Sequence, residues 1–253
     1  MNGRGARRRA GIDADHLTAL SQGRVASRTL AEALAVDHVT LLHSVIPDAD
    51  VELRAAVAEA QSLGILKRMQ RIGAALGHYL DVEGWVVLAT HQSDTVRCWV
   101  CFMIAGTTGP DVEGLLAAVR PLADDPHFAV REWAWMAVRP ALAAELNTSI
   151  QLLSGWAGDG SERIRRFASE ALRPRGVWAT HIPELKEDPG RGLPILERLR
   201  ADPSRYVQDS VANWINDAAK TNPDWARALC EQWLHAGTGA ATERIATRAL
   251  RSI

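Results

Sequence analysis

A pattern that recurs five times constrains this chain more than any other feature. From about residue 85, a polar or Asp-containing turn leads into a Val or Ile, usually followed by Arg, and then into an apolar helix. The segments are SDTVRCWVCFMIAG, DPHFAVREWAWMAVRP, GSERIRRFASEALRP, DPSRYVQDSVANWINDAA and ATERIATRALRSI. They register on Val96, Val130, Ile164, Val207 and Ile245, at spacings of 34, 34, 43 and 38 residues. A period of about 35–45 residues built from helix pairs marks an α-solenoid of the HEAT or armadillo kind, because each unit buries its apolar stripe only against its neighbours. The Asp125-Pro126 and Asp202-Pro203 turns suit helix starts. No β alternation competes, so the chain reads as all-α, a right-handed α-solenoid of HEAT-like repeats with a concave surface.

Upstream of the repeats only helical periodicity is visible. Leu30–Val36 and Val39–Ile46 read as short amphipathic helices ended by Pro47 and Asp48, and 51–80 as two helices meeting near Gly64. Residues 1–12 (MNGRGARRRAGI) read as a disordered basic tail, and they lack the apolar stretch of a secretory signal. The expected organisation is one domain over 13–253, with N-terminal helices at 13–84 and five repeat units at 85–253.

Composition removes several classes of function. No run of about 18 apolar residues is present, so no membrane span is expected. Three cysteines cannot build a disulfide framework, which points to a reducing, cytoplasmic setting. Cys98 and Cys101 form a CxxC, but no second pair follows and the motif lies inside an apolar helix pattern, so no metal or other cofactor is expected. A net charge of −1 excludes a uniformly basic nucleic-acid binder while leaving room for a localised basic face.

Registering the repeats separates two stripes. Apolar residues at the Val or Ile, four on and seven or eight on form the core: Val130, Ala134, Ala137, Val138; Ile164, Ala168, Ala171, Leu172; Val207, Val211, Trp214, Ile215. A second stripe, at −1, +2, +6 and +10, reads Ala129, Glu132, Met136, Pro140 in the second segment. It reads Arg163, Arg166, Glu170, Pro174 in the third and Tyr206, Asp209, Asn213, Asp217 in the fourth. Stacked repeats lay such stripes side by side on one surface, normally the concave one. Charged residues there are either simply solvated or gathered for a use. Asn213 and Asn216 favour a use, since Asn is a poor interior helix former. Nine tryptophans against three Phe and two Tyr fall mostly at core spacing. Trp178 is the exception, set in a loop beside Arg173 and Arg175, where an aromatic ring suits base stacking or cation binding.

The pieces RRFASEALRPRGVW, LPILERLRADPSRYVQDSVANWINDAAK and TERIATRALRSI resemble the bacterial AlkC/AlkD group of HEAT-repeat alkylpurine DNA glycosylases, closest to the AlkC branch. The resemblance spans roughly residues 85–253. It implies hydrolysis of the N-glycosidic bond of alkylated, often cationic bases in double-stranded DNA held on the concave surface. Motif by motif, Glu170 matches the Glu of the family's SEG-RPR pattern, Trp178 the aromatic after it, and Asp217 the Asp of its VANHLND pattern. The sequence departs from the family at HFAVRE, where His127 stands in the position of a Glu; Glu132 is the candidate to take over the acidic role.

On this reading Asp217, Glu170 and Glu132 are the catalytic carboxylates. Trp178, Trp133, His127, Phe128 and Asn213 face the base or DNA, and Arg163, Arg166, Arg173 and Arg175 hold phosphates. Breaking a glycosidic bond builds positive charge on the sugar, which a fixed carboxylate stabilises while a second activates water. A base alkylated on a ring nitrogen already leaves as a cation's neutral product, so no acid of raised pKa is needed. Scarce lysine (Lys67, Lys186, Lys220) argues for a monofunctional enzyme, acting as a monomer. The alternative is a non-catalytic HEAT scaffold that binds DNA or a protein partner, since fold does not imply function.

Overall fold

All regular elements of the computed structural model are helical among the described residues, which are 5, 6, 8–107, 111–176, 178–237 and 239–253. They divide into two compact units, Met1–Asp111 with Asp125–Ala137, and Val112–Asp124 with Val138–Ile253.

The first unit holds α1 (Ala14–Ser21), α2 (Leu30–Ala35), α3 (His38–Val45), α4 (Val51–Ala60), α5 (Ile65–Tyr79), α6 (Val82–Ala89) and α7 (Asp94–Thr107). Polar side chains define the starts. Asp13, Thr29, Asp37, Asp50 and Asp81 each accept a backbone N–H from the first turn that follows, satisfying donors that a helix leaves open. The expected break at Gly64 is real, and Gly64 is the residue that starts α5. Helix α1 had no counterpart in the sequence reading. Helices α5 and α7 pack closely because Gly73 has no side chain: a Cβ there would lie 2.7 Å from the Phe102 carbonyl carbon. Cys98 and Cys101 are core residues of α7, and burial pushes both thiols up. Trp99, fully buried, donates its indole N–H to His38 Nδ1 at 3.0 Å.

The expectation of a disordered tail over 1–12 needs correction where residues are described. The Ala6 amide donates to Glu32 Oε1 at 3.0 Å and the Ala6 carbonyl accepts from the Thr29 hydroxyl at 2.6 Å. Arg9–Gly11 form a single 3-10 turn. The buried Glu32 carboxylate also accepts the Arg28 amide and His16 Nε2, so it organises the segment around itself. Residues 1–4 and 7 lie outside the described residues.

The second unit holds α8 (Val112–Ala123), α10 (Leu146–Trp156), α11 (Glu162–Glu170), α12 (Pro183–Glu187), α13 (Leu193–Leu199), α14 (Arg205–Ala219), α15 (Pro223–His235) and α16 (Ala240–Ala249). The long helix α9 (Phe128–Ala144) supplies 128–137 to the first unit and 138–144 to the second. Helices α11, α14 and α16 pack side by side in chain order. Helix α10 packs on α11, α13 on α14, and α15 on α14 and α16, which is the helix-pair arrangement the repeat spacing predicts. Trp214 and Trp233 fill this core, and Gly192 lets its chain close over the Trp214 ring.

The Arg that follows the Val or Ile has a structural cause. Arg97, Arg131 and Arg165 each reach back to the two carbonyls six and five residues earlier: His91 and Gln92, Asp125 and Pro126, Asp159 and Gly160. Gln208 makes the same reach to Asp202 O at 2.8 Å. Arg97 also forks onto Asp125 at 2.7 and 3.1 Å, and Arg165 onto Asp202 at 2.6 and 3.1 Å. Those aspartates in turn accept the amides of His127 and Ser204, two residues on. The turns at Asp125 and Asp202 are thus each tied to the repeat before by a bidentate ion pair, the strong geometry for an arginine.

Candidate active site

In the second unit the polar residues of α11 and α14 converge on one guanidinium. Ser161 caps the start of α11, accepting the Arg163 amide, and the helix ends at Glu170. Arg173, three residues on, donates from Nη1 to Glu170 Oε1 at 2.8 Å. Its Nε and Nη2 reach Asp217 Oδ2 on α14 at 2.9 and 2.7 Å. Glu170 and Asp217, expected to share a surface, are therefore joined through Arg173. Both are only 3 % exposed.

The remaining oxygens are also engaged. Glu170 Oε2 accepts from the Ser210 hydroxyl at 2.6 Å, and Ser210 accepts from Ser169 at 2.8 Å. Arg166 Nη2 stands 3.6 Å from the same oxygen, with its guanidinium carbon 4.5 Å over the Tyr206 ring. Asp217 Oδ1 accepts from Lys220 Nζ at 3.3 Å, and the Asp217 carbonyl accepts from Arg175 Nε at 3.2 Å. Burial alone pushes the Glu170 carboxyl up. Arg166, Arg173 and the Ser210 hydroxyl outweigh it, and the group lies below the usual carboxylate range. Burial opposes the charge on Arg173 as well, and its two carboxylate partners reverse that, holding it above its ordinary value. Glu170 is therefore unsuited to donating a proton, and the paired carboxylates suit the stabilisation of positive charge.

Other expected residues lie elsewhere. Arg173 was expected to hold a phosphate, but its fork is taken up by two buried carboxylates. Arg163 donates to the Asp124 carbonyl at 2.9 Å and keeps 38 % of its side chain exposed. Asn213 Oδ1 accepts from Arg251 at 2.9 Å, and Asp209 accepts from Arg244 of α16 at 2.7 Å and pairs with the charge of Arg248 at 2.9 Å. Trp178 is 49 % exposed and has φ 59°, a left-handed conformation that costs a residue with a side chain on the order of 1 kcal/mol. Val177, in the same motif, lies outside the described residues.

The remaining candidates belong to the first unit. Glu132 Oε2 accepts the Trp135 indole N–H at 2.8 Å. Trp133 is 6 % exposed and meets Phe102 edge-on at 5.6 Å, so the expectation that its ring contacts a base is corrected to a core position. His127 is held through Nε2 by the Ser27 carbonyl at 2.6 Å and through Nδ1 by the Ala129 amide at 3.2 Å. The Phe128 ring lies 4.7 Å from that of His127. Ser27 donates its own amide and hydroxyl to Asp94, so His127 in the Glu position is part of a buried bracing network.

Sequence reasoning missed Ser169, Ser210 and Arg139. The serines carry no signal, since they fall on neither of the registered stripes. Arg139 carried one: it lies nine residues after Val130 and before Pro140, just as Arg173 lies nine after Ile164 and before Pro174.

Comparison with known proteins supports the resemblance. Residues 129–249 match the DNA alkylation repair enzyme family. The uncharacterized protein YhaZ of Bacillus subtilis is 44 % identical over 136 residues, covering 54 % of this chain and 37 % of that protein. The Pseudomonas fluorescens alkylpurine DNA glycosylase AlkC, solved bound to DNA containing an abasic-site analogue, superposes with a TM-score of 0.69 at 27 % identity. That match covers 93 % of this chain and 64 % of AlkC. AlkD2 from Streptococcus mutans superposes with a TM-score of 0.62 at 20 % identity, over 79 % of this chain and 99 % of AlkD2, a likeness of fold. The chain thus spans less than two thirds of the length of YhaZ and of AlkC. By matched segment, fold and motif, this all-helical repeat protein resembles the AlkC/AlkD family of DNA alkylation repair enzymes.

Proposed function

We propose that the protein is a DNA repair glycosylase that hydrolyses the N-glycosidic bond of alkylated, cationic bases in duplex DNA, without a lyase step. The observation that carries this reading is the Glu170–Arg173–Asp217 cluster. It joins two buried carboxylates through one guanidinium at the root of the loop bearing Trp178, within the segment that matches the repair family.

The chemistry follows from the charges. Bond cleavage leaves an oxocarbenium-like sugar, and Asp217 is the anion that stabilises it. Its Oδ2 stays on Arg173. Its Oδ1 accepts from Lys220, whose side chain is 47 % exposed and can move to a phosphate of the bound strand. The alkylated base leaves without protonation, so a cluster lacking an acid is no handicap. Glu170 keeps Arg173 in place by accepting from its Nη1, with its other oxygen fixed by Ser210. Trp178 offers its exposed ring to the cationic base. Arg163, Arg166 and Arg175 are the candidate phosphate ligands.

One observation favours a second reading, a scaffold that binds DNA or a protein without chemistry: both carboxylates are buried and already bonded to Arg173. Release of free base from methylated duplex DNA separates the two. Wild-type release with a loss of about 100-fold or more in Asp217→Asn, roughly 2.7 kcal/mol of transition-state stabilisation, supports the glycosylase. DNA binding with no release from any alkylated duplex supports the scaffold.

A further inference from the structure

The structure assigns Arg139 as a positioning residue for this site, a role that rests on the glycosylase reading. Arg139 lies on the last turns of α9, in the second unit, and is 2 % exposed. Among the described residues no carboxylate bonds to it. Its whole fork goes to backbone carbonyls: Nη1 to Ala171 at 2.7 Å, Nη2 to Arg173 at 2.6 Å, and Nη2 and Nε to Thr180 at 3.1 and 3.2 Å. The first, of the C-cap residue Ala171, ends α11, where a cation satisfies an open acceptor and suits the negative end of the helix, and the second lies three residues past the helix. The third lies beyond Trp178. Arg139 therefore clasps the two ends of the loop that starts at Glu170, carries Arg173 and Arg175, and presents Trp178.

The rest of the loop is shaped around this guanidinium. A Cβ on Gly176 would stand 3.2 Å from Arg139 Cζ and 3.3 Å from its Nε, so glycine is what lets the chain fold over the planar group. The Ile182 amide closes the loop onto the Pro174 carbonyl at 3.1 Å. From the other side α14 fixes the same stretch: the Trp214 indole donates to the Leu172 carbonyl at 3.0 Å, and Arg173 and Arg175 bind Asp217. Arg139 thus sets where Arg173 stands, and Arg173 sets where Asp217 stands. It also adds a second buried cation, so two arginines balance Glu170 and Asp217. Burial and the nearby Arg173 bring its own pKa down to about 10, with Glu170 and Asp217 pulling the other way.

Arg139→Lys and Gly176→Ala test this together. Lysine keeps the charge, but a single ammonium cannot span three carbonyls in a fixed plane. Alanine leaves Arg139 in place and crowds it. Three quantities are measured beside the wild type: the single-turnover rate of base release from methylated duplex DNA at saturating protein, affinity for an uncleavable duplex with an abasic analogue, and hydrogen–deuterium exchange over 171–182. We expect folded variants with faster loop exchange, duplex affinity little changed, and a rate lowered about 100-fold, the scale of a misplaced catalytic group. A merely structural role would lower melting temperature and leave the rate of the folded protein intact. A rate within about twofold of wild type in Arg139→Lys, whatever the exchange, overturns the proposal. If the wild type releases no base, the glycosylase reading has failed on its own. Loop exchange then still decides the clasp: unchanged exchange in both variants overturns it and faster exchange supports it.

Discussion

The residue that follows the Val or Ile does the same work at the first turn of successive repeat helices, whereas the residue nine positions after that Val or Ile does different work in each. At the first turn Arg97, Arg131, Arg165 and Gln208 all reach back to the carbonyls of their own turn, and the arginines Arg97 and Arg165 fork onto the next aspartate. At the far end Arg139 takes carbonyls only, Arg173 takes Glu170 and Asp217, and Asn216 takes the Ala249 carbonyl and the Ser252 hydroxyl. Asp125 and Asp202 are as buried and as arginine-paired as Glu170 and Asp217. Burial and pairing therefore do not mark a reactive carboxylate here. What separates the sets is repetition: a device copied in each repeat serves the array, and a device that occurs in one repeat serves something local to it.

The comparison can be broken most severely at Arg173. Arg173→Met leaves two carboxylates buried without their cation, and a loss of about 3–5 kcal/mol is expected in urea unfolding. Adding Glu170→Gln and Asp217→Asn to that variant restores much of the stability while leaving base release abolished. If the triple variant stays as unstable as the single one, the charge argument for the cluster is wrong.

Arg165→Ala strikes the repeated end instead. It removes the fork onto Asp202 and two carbonyl bonds, so about 2–3 kcal/mol is expected from the lost charged hydrogen bonds. Base release by the folded protein should be unchanged, and a slowed rate at low temperature would show that the two ends are not separable.

A third test uses pH and lies away from both ends. Burial, helped by Arg68, drives the His38 pKa down to about 3, so the folded protein keeps this ring neutral. Its folded value is below its unfolded one, near 6.5. The stability that comes from keeping His38 uncharged is therefore fully present above pH 6.5 and is lost progressively as pH falls towards 3. At pH 5 the loss is about 2 kcal/mol, from roughly 1.5 pH units at 1.36 kcal/mol each. His38→Gln, which keeps an acceptor for the Trp99 indole, should flatten the curve between pH 7 and 5; an unaltered slope refutes the assignment to this residue. The smallest effect is expected on the α14–α16 surface, where Asp209 meets Arg244 and Arg248 in the open. Asp209→Asn should change stability by less than about 1 kcal/mol, and less still at high salt.

Much of this molecule is local information. The Val or Ile that registers each repeat, the polar caps and the break at Gly64 depend on spacing along a helix, and those are legible without knowing what the helix touches. The resemblance to the repair family is read from RRFASEALRPRGVW, LPILERLRADPSRYVQDSVANWINDAAK and TERIATRALRSI, each of them contiguous. Glu170, Trp178 and Asp217 are candidates on that ground.

What each side chain does was decided by packing between segments far apart in sequence. Arg173 reads as a phosphate ligand beside Trp178 until α11 and α14 lie side by side, when its fork meets carboxylates at positions 170 and 217. Trp133 reads as a ring for a base until Phe102 covers it. Arg139 reads as one arginine among many, because its three partners are backbone carbonyls that have no signature in a sequence. The pattern of residues specified which helices form and how often; burial and hydrogen-bond geometry, which exist only once helices pack, chose the charges that brace the array and the charges that gather at Asp217.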